Sequence, residues 1–311
     1  MGDTSGTLTT ERPDQLNTKA VLLVNTHSRR GKDWYEQAKI HLKEAGVHLV
    51  DSQEFQKVDK LQHAAKKAVA AKTPLVIIGG GDGTFSATAK YFVDSESTLG
   101  VLPLGTGNAF ARDLGIVADV ATATKTIASG RVTHVDLGYA YDDYFLNVAS
   151  IGLTTRIAAA LTDPMKHKYG RFVYVVALFK AMATVQPFHV KLETENGCEE
   201  FETMLAVLGN GRYHAGPFRL SETASITEGK LSFYALATAR KSAFIRFGLA
   251  LATGRQGHLP QVRTQETTGG TITTTPSKKV TVDGEIYTQT PMKFKIVPKA
   301  LRVLVPPEFS G

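Results

Sequence analysis

The stretch Pro74-Leu75-Val76-Ile77-Ile78-Gly79-Gly80-Gly81-Asp82-Gly83-Thr84 decides the fold of this chain. Its apolar half is short and rich in β-branched residues, so it reads as a buried strand. The strand runs directly into glycines that precede a helical pattern. Upstream, Ala20 to Val24 reads as another buried strand, and Trp34, Ala38, Leu42 and Ala45 then recur at helical spacing. Val47 to Val50 is a further strand, followed by a helix marked by Leu61, Ala64, Ala65, Ala68 and Val69. Downstream, Leu99 to Leu104 is a fourth strand that again ends in a Gly-rich turn. Strand and helix alternating in this way predict a parallel sheet covered on both faces. Ligands of such sheets bind beyond the carboxyl ends of the strands, where both Gly-rich turns fall.

Composition sets compatible bounds. The 311 residues suffice for about two domains. With 42% hydrophobic and 21% charged residues the chain can bury a full core, which excludes wholesale disorder. The single cysteine, Cys198, excludes an internal disulfide framework and a multi-cysteine zinc site, and fits a reducing compartment. The first apolar run is far too short for a signal peptide or a membrane span. A net charge of +7 predicts attraction to an anionic partner: nucleic acid, acidic lipid or a polyphosphate.

After about Asp136 the texture changes. Phe188, Val190 and Leu192 alternate with polar residues, as do Phe201, Thr203 and Leu205 after Asn196-Gly197. A two-residue type I′ turn at Asn196-Gly197 would set Leu192 opposite Phe201, Phe188 opposite Leu205 and Lys191 opposite Glu202. Lys230 to Leu236, Thr271 to Thr275, Lys279 to Val282, Met292 to Val297 and Leu301 to Val305 are also strand-like. The second part is therefore expected to be a β-sandwich, with helices near Thr154 to Leu161, Phe172 to Ala183 and Ala243 to Thr253.

Glycines let a backbone approach phosphate oxygens closely, and a helix start adds unpaired N–H donors. The run at Gly79 to Thr84 is neither a Walker loop nor a dinucleotide fingerprint, and by itself a tight strand-to-helix turn explains it equally well. One strand later, Gly105-Thr106-Gly107-Asn108 offers donors at the same sheet end; Asn108 is expected to cap the following helix. A third turn, Asn25 to Lys32, holds Ser28 with Arg29, Arg30 and Lys32. Asp283-Gly284 is a favoured hairpin dipeptide, and such a turn sets Val282 opposite Glu285.

Together these residues resemble the diacylglycerol kinase catalytic domain shared by soluble bacterial lipid kinases and by sphingosine and ceramide kinases. The resemblance spans Ala20 to Pro306 and rests on Gly80 to Thr84 combined with Pro103 to Phe110. Phe145 to Gly152, Val207 to Tyr213, Val282 to Glu285 and the ending Pro298 to Pro306 support it. It implies an NAD-kinase-like α/β nucleotide domain with a parallel sheet over residues 20–136, after a flexible polar N-terminus at 1–19. A β-sandwich lipid-substrate domain would follow over 137–297, and a last strand, 298–311, would return towards the first domain. The active site would lie in the interdomain cleft.

The resemblance further implies that Asn25, Ser28, Gly80, Gly81, Asp82, Gly83, Thr84, Gly105, Thr106 and Asn108 bind ATP. Asp82 would work around the phosphates and their Mg²⁺, and Asp283 and Glu285 would be the acidic pair that supplies a general base. An alcohol is a poor nucleophile at neutral pH, so a carboxylate that accepts its proton as the γ-phosphoryl moves is what the chemistry needs. The chain departs from the family pattern at Ser86 and Ala87, where Asn-Glu is common, and at Asn108-Ala109, where diacylglycerol kinases carry Asn-Asp. The first-loop Pro is Thr26. Where some bacterial members bind a structural Mg²⁺ through Asp-Asp-Gly, this chain has Thr227-Glu228-Gly229, leaving Glu228 as the candidate ligand.

The expected activity is ATP-dependent phosphorylation of a lipid hydroxyl, diacylglycerol first, with a sphingoid-base or other lipid kinase as the alternative. An NAD-kinase-like enzyme and a nucleotide-binding regulator without catalysis are the readings of a different class. Lys166, His167, Lys168 and Arg171 precede a helical pattern with Phe172, Val175, Val176 and Phe179, a layout that can rest on an anionic membrane surface. Arg240, Lys241, Arg246 and Arg255 form a second cluster. The expectation is a cytoplasmic protein that touches membranes peripherally through these patches. Nucleic acid is not an expected partner, since aromatics do not interleave with the basic runs. Nothing in the sequence fixes an oligomeric state, a homodimer included.

Overall fold

The computed structural model describes residues 19–27, 31–153, 185–215, 218–219, 224–238, 240 and 262–311. The chain forms two compact units, Met1–Asp136 with Lys299–Gly311, and Leu137–Pro298. The helices expected near Thr154, Phe172 and Ala243 lie outside the described residues.

The first unit alternates β1 (Ala20–Asn25), α1 (Gly31–Glu44), β2 (Leu49–Phe55), α2 (Val58–Ala70), β3 (Leu75–Gly80), α3 (Asp82–Ala89) and β4 (Thr98–Pro103). Then come α4 (Ala109–Asp113), α5 (Val120–Ser129) and β5 (Arg131–Ala140), and the long final strand β18 (Met292–Val305) ends here. Its strands run in the order β2-β1-β3-β4-β18, each pair parallel. Every residue of β3 and β4 is buried, as a parallel strand covered on both faces requires. Each fully buried Leu, Ile or Val there contributes roughly 1.5–3 kcal/mol. In α1 the buried stripe is Tyr35, Ala38 and Leu42, and in α2 it is Leu61, Ala65 and Val69. The second strand begins at Leu49, not Val47, and continues through Asp51, Ser52, Gln53 and Glu54 to Phe55. It is the edge of the sheet, where half of its positions face water and polar residues cost little.

The second unit adds β6 (Asp143–Phe145), β7 (Val148–Gly152), β8 (Phe188–Thr194), β9 (Gly197–Thr203), β10 (Leu205–Gly209), β11 (Tyr213–Ala215) and β12 (Phe218–Arg219). It continues with β13 (Leu231–Leu236), β14 (Val262–Thr267), β15 (Gly269–Thr275), β16 (Lys279–Val282) and β17 (Glu285–Gln289). One antiparallel layer runs β18-β15-β8-β9 and the other β14-β13-β10-β7-β16-β17. Their inner faces meet in one core, with Val190, Leu192, Ile272 and Phe294 from the first layer and Ile151, Leu208, Phe233 and Val280 from the second. This is an antiparallel β-sandwich.

Three details differ from expectation. The hairpin of β8 and β9 pairs Leu192 with Glu199, Phe188 with Thr203 and Lys191 with Glu200, a slip of two residues. A type I′ turn needs positive φ at both central residues. Here only Gly197 has it (φ +121), so Glu195-Asn196 forms the turn and Asn-Gly is displaced by one position. Glu195 fixes this arrangement by accepting from the Thr268 amide at 2.6 Å and the Thr267 hydroxyl at 2.7 Å. The slip is even, so Phe188, Val190 and Leu192 still face the core.

Leu205 does not continue β9 either, because the chain changes layers at Met204. The Thr203 hydroxyl turns this corner, donating to the Leu205 and Leu236 carbonyls, both at 2.8 Å. Finally, Met292 to Val297 and Leu301 to Val305 are one strand. It passes through Pro298, which has no amide, and Lys299 (φ +54), whose amide goes to buried Asp136 at 2.7 Å instead of a strand ladder.

Candidate active site

The carboxyl end of β3 leads through Gly81 into α3, and the carboxyl end of β4 is sewn to it by the Leu104 amide, 2.7 Å from the Gly80 carbonyl. The two glycine turns touch. A Cβ on Gly105 would stand 2.5 Å from the Gly81 Cα, and one on Gly80 would stand 2.5 Å from the Thr84 side chain. These glycines are required by packing of loop on loop. Gly83 differs, for a Cβ there would meet nothing within 4 Å, and its exposed backbone stands open at the start of α3.

The polar side chains of these turns are bonded to one another. Asn25 Nδ2 donates to Thr84 Oγ1 at 3.1 Å, and Asn25 Oδ1 accepts from the His27 amide at 3.1 Å. Thr26, the position of the family's Pro, is buried and sends its hydroxyl to the Phe55 carbonyl at 3.3 Å. Asp82 Oδ1 accepts from the Phe110 amide at 3.2 Å, so it ties the first glycine turn to the start of α4. Asn108 stands at the N-cap position of α4 in a left-handed conformation but does not cap it. Its amide folds back on the turn, accepting from the Gly105 amide at 2.9 Å and donating to the Gly105 carbonyl at 2.8 Å. A left-handed backbone directs the side chain away from the helix it precedes, which is why the expected cap does not form. Thr106 is exposed. Ser28, with Arg29 and Arg30, lies outside the described residues.

In the second unit, Asp283 (φ +46) and Gly284 (φ +94) form the turn between β16 and β17, with Val282 opposite Glu285. The Asp283 carboxylate accepts from three consecutive amides: Leu146 at 2.8 Å, and Asn147 and Val148 at 2.9 Å each. Asn210 holds the same segment, its Nδ2 donating to the Leu146 carbonyl at 3.0 Å and its amide to the Asn147 carbonyl at 2.8 Å. Three separate stretches quoted above, around Asn147, Asn210 and Asp283, thus converge. Sequence reasoning assigned no role to Asn147 or Asn210; their place inside those stretches was the available signal. Asn147 Oδ1 is buried without a hydrogen-bond partner among the described residues. Glu285 is exposed, and its side chain makes no hydrogen bond or ion pair with a described residue. At the far end of β17, Tyr141 donates to the Gln289 carbonyl at 3.0 Å, and burial pushes its hydroxyl up to about 12.

Each unit matches the model of a known family. Residues 19–140 match the family model of the diacylglycerol kinase catalytic domain, and residues 147–305 match that of the YegS C-terminal NAD kinase beta sandwich-like domain. The chain belongs to the diacylglycerol kinase and YegS-like lipid kinase family. It is 28% identical to a diacylglycerol kinase of Bacillus subtilis (strain 168) over 251 residues, 79% of this chain and 82% of that one. It is 28% identical to a probable lipid kinase YegS-like of Klebsiella pneumoniae (strain 342) over 292 residues, 93% of this chain and 97% of that one. A crystal structure of a diacylglycerol kinase from Bacillus anthracis str. Sterne shares the fold, with a TM-score of 0.76 at 24% identity over 93% of this chain and 97% of that one.

Within this lipid kinase family fold, no group of three or more His, Cys, Asp or Glu side chains forms a metal cage among the described residues. Glu228 is exposed in a turn closed by its amide to the Ser225 carbonyl at 3.4 Å. No helix among the described residues is long and apolar enough to cross a membrane. Of the two basic clusters, only exposed Arg240 is among the described residues; Lys166, His167, Lys168, Arg171, Lys241, Arg246 and Arg255 lie outside them.

Proposed function

We propose that this protein is an ATP-dependent lipid kinase that transfers the γ-phosphoryl group of ATP to a lipid hydroxyl, with diacylglycerol as the first acceptor and phosphatidic acid as its product. The observation that supports the reading is that relatives named diacylglycerol kinase or lipid kinase match most of the chain, and that the two family models cover the ranges holding the nucleotide turns and the acidic turn. The first unit supplies backbone at Gly81 to Thr84 and Gly105 to Thr106 for the phosphates, with Asn25 and Asn108 shaping the turns. The second supplies a carboxylate, from Asp283 or Glu285, to take the acceptor proton. A positioned base is worth roughly 10²–10⁴-fold, and most of the remaining acceleration comes from positioning and charge stabilisation.

Mg²⁺ in this reading arrives with the nucleotide. Such an ion is held mainly by phosphates and one or two carboxylates, so the lack of a protein cage among the described residues is compatible with it. Asp82, half-buried at the start of α3, is the acidic side chain that would hold it. When bound, the ion neutralises charge on the phosphoryl oxygens. The lipid is met at a membrane surface.

The test is Mg²⁺-dependent transfer of labelled phosphate from ATP to diacylglycerol, monoacylglycerol, sphingosine, ceramide and phosphatidylglycerol in mixed micelles, with NAD offered separately without lipid. Labelling of diacylglycerol supports the reading. Labelling of a sphingoid base moves the acceptor within the family, labelling of NAD alone replaces the reading, and ATP binding with no labelling favours a regulator.

A further inference from the structure

The first two helices of the first unit are similar in length and in buried stripe, yet they carry charge in opposite ways. In α1, Lys32, Lys39 and Lys43 are balanced by Asp33, Glu36 and Glu44, with Lys39 paired to Glu36 at 3.2 Å. The segment 56–72, which holds α2, has Lys57, Lys60, Lys66, Lys67 and Lys72 against Asp59 alone. Five charges less one leave a net +4, more than half of the chain's +7. All five lysines are exposed, and none of their side chains makes a hydrogen bond or ion pair with a described residue. No acid within α2 stands three or four positions from any of them, where it could neutralise them.

The apolar stripe of α2, Leu61, Ala65 and Val69, is buried in the protein. Lys60, His63 and Lys67 recur at helical spacing on the opposite side, with Lys66 beside them. With its apolar side already covered, α2 has nothing to insert into a bilayer, and any contact it makes there is electrostatic. Lysine is a point charge without the planar fork that recognises one phosphate, so such a row reads charge density rather than the shape of one headgroup. The segment also lacks Arg, Phe, Tyr and Trp, the residues that read bases or stack on them.

We infer that the outer face of α2 is a docking surface for an anionic bilayer. The choice of a bilayer rests on the lipid-kinase reading above, in which the acceptor lies in one. The helix is about 20 Å long, and it lies along the surface with its lysines within a Debye length of the headgroups, about 8 Å at physiological salt. In this role α2 sets how much protein is held at the surface and leaves the chemical step alone. Sequence reasoning gave these lysines no role.

The test is cosedimentation of the chain with phosphatidylcholine vesicles, with and without phosphatidylglycerol or phosphatidylserine, at low and high salt and without ATP or diacylglycerol. Wild type is expected to bind anionic vesicles, to bind neutral ones far less, to be released by high salt, and to treat the two anionic lipids alike at equal charge. Lys60→Gln/Lys66→Gln/Lys67→Gln should weaken binding about a hundredfold, at about fivefold per lysine. Lys39→Gln/Lys43→Gln/Lys125→Gln removes the same charge from α1 and α5, which pack together on the other face of the sheet. Its binding should stay within about threefold of wild type, since those charges are screened from the surface. Both variants should keep the wild-type Tm.

An α2 variant that binds as wild type overturns the inference, as does equal weakening in the control or wild-type binding that ignores salt. Binding of a DNA duplex that fades with the same three lysines, in a protein that ignores vesicles, replaces the bilayer with nucleic acid. If the α2 variant loses Tm, amine-reactive footprinting of wild type decides. Anionic vesicles should then protect Lys60, Lys66 and Lys67 and leave Lys43 and Lys125 reactive, and protection that is uniform or absent overturns the surface. Failure of the lipid-kinase reading shows as unlabelled lipid in micelles, and failure of the docking surface as vesicle binding that does not depend on α2, so the two are told apart.

Discussion

The glycine turns of the first unit and the acidic turn of the second use their polar residues in the same way, and differ in what they leave open. In the first unit, Asn25 is bonded to Thr84, Asp82 to Phe110 and Asn108 to Gly105, and what stays exposed is the backbone at Gly83 and the side chain of Thr106. In the second unit, Asp283 is committed to three amides and what stays exposed is a side-chain carboxylate, Glu285. Main-chain donors suit the phosphates of a nucleotide, whereas an uncommitted carboxylate suits the proton of an alcohol. The most conspicuous residues of each stretch therefore hold the turns together, and their quieter neighbours are the ones left exposed.

The contrast breaks most severely if the first unit's turns are not locked together. Gly105→Ala places a Cβ 2.5 Å from the Gly81 Cα, a backbone atom that cannot rotate away. Overpacking of this kind costs about 1–3 kcal/mol. Thermal denaturation should show a lowered Tm and an ATP titration a weakened affinity; an unchanged Tm would mean that the turns do not support each other. Thr84→Val removes the acceptor of Asn25 Nδ2, a loss of about 1 kcal/mol. Steady-state kinetics should then show KM for ATP rising severalfold while KM for lipid stays constant.

Gly83→Ala probes the open side of the same turn. With nothing within 4 Å of the new Cβ and a gain in helix propensity of up to about 1 kcal/mol, Tm should hold or rise. ATP affinity should nevertheless fall, and an unaffected affinity would show that the nucleotide does not approach this backbone.

The smallest effect concerns a second saturated carboxylate, remote in sequence from the acidic turn. Glu195 is held down to about 2, first by the Thr267 hydroxyl and further by the Thr268 amide and hydroxyl, against an opposing effect of burial. A depressed folded-state value means stability that is present above the ordinary 4.5 and is lost as pH falls towards about 2. Between those values wild type should lose stability faster than Glu195→Gln, by a small margin because the group is exposed. Equal acid unfolding of the two would remove Glu195 as a precedent for a purely structural carboxylate.

How much of this was legible depends on the range of the interaction. The parallel sheet was readable because β1, β3 and β4 are buried on both faces and so are continuously apolar in sequence. The polar edge strand β2 carried no such mark beyond its start. The Asp283-Gly284 turn was readable from its dipeptide, since few other pairs accept two positive φ values. Its partners were not, because the amides that Asp283 binds lie 135 to 137 positions away and belong to backbone that any sequence has. The hairpin of β8 and β9 shows the limit for short range as well. Asn196-Gly197 signalled a turn, but Glu195's bonds to Thr267 and Thr268, some 70 residues on, go with the register that formed. Likewise Pro298 looked like the end of a strand, and only Asp136, far upstream, shows how the strand passes through it.

One measurement reaches the centre of this account: ATP affinity and transfer of labelled γ-phosphate to diacylglycerol in mixed micelles, determined side by side for wild type and Glu285→Gln. The account predicts that wild type labels the lipid, and that the variant binds ATP within about twofold of wild type while its kcat drops by roughly 10²–10⁴-fold. A variant that transfers phosphate at near wild-type rate, or one that loses ATP binding, would contradict it.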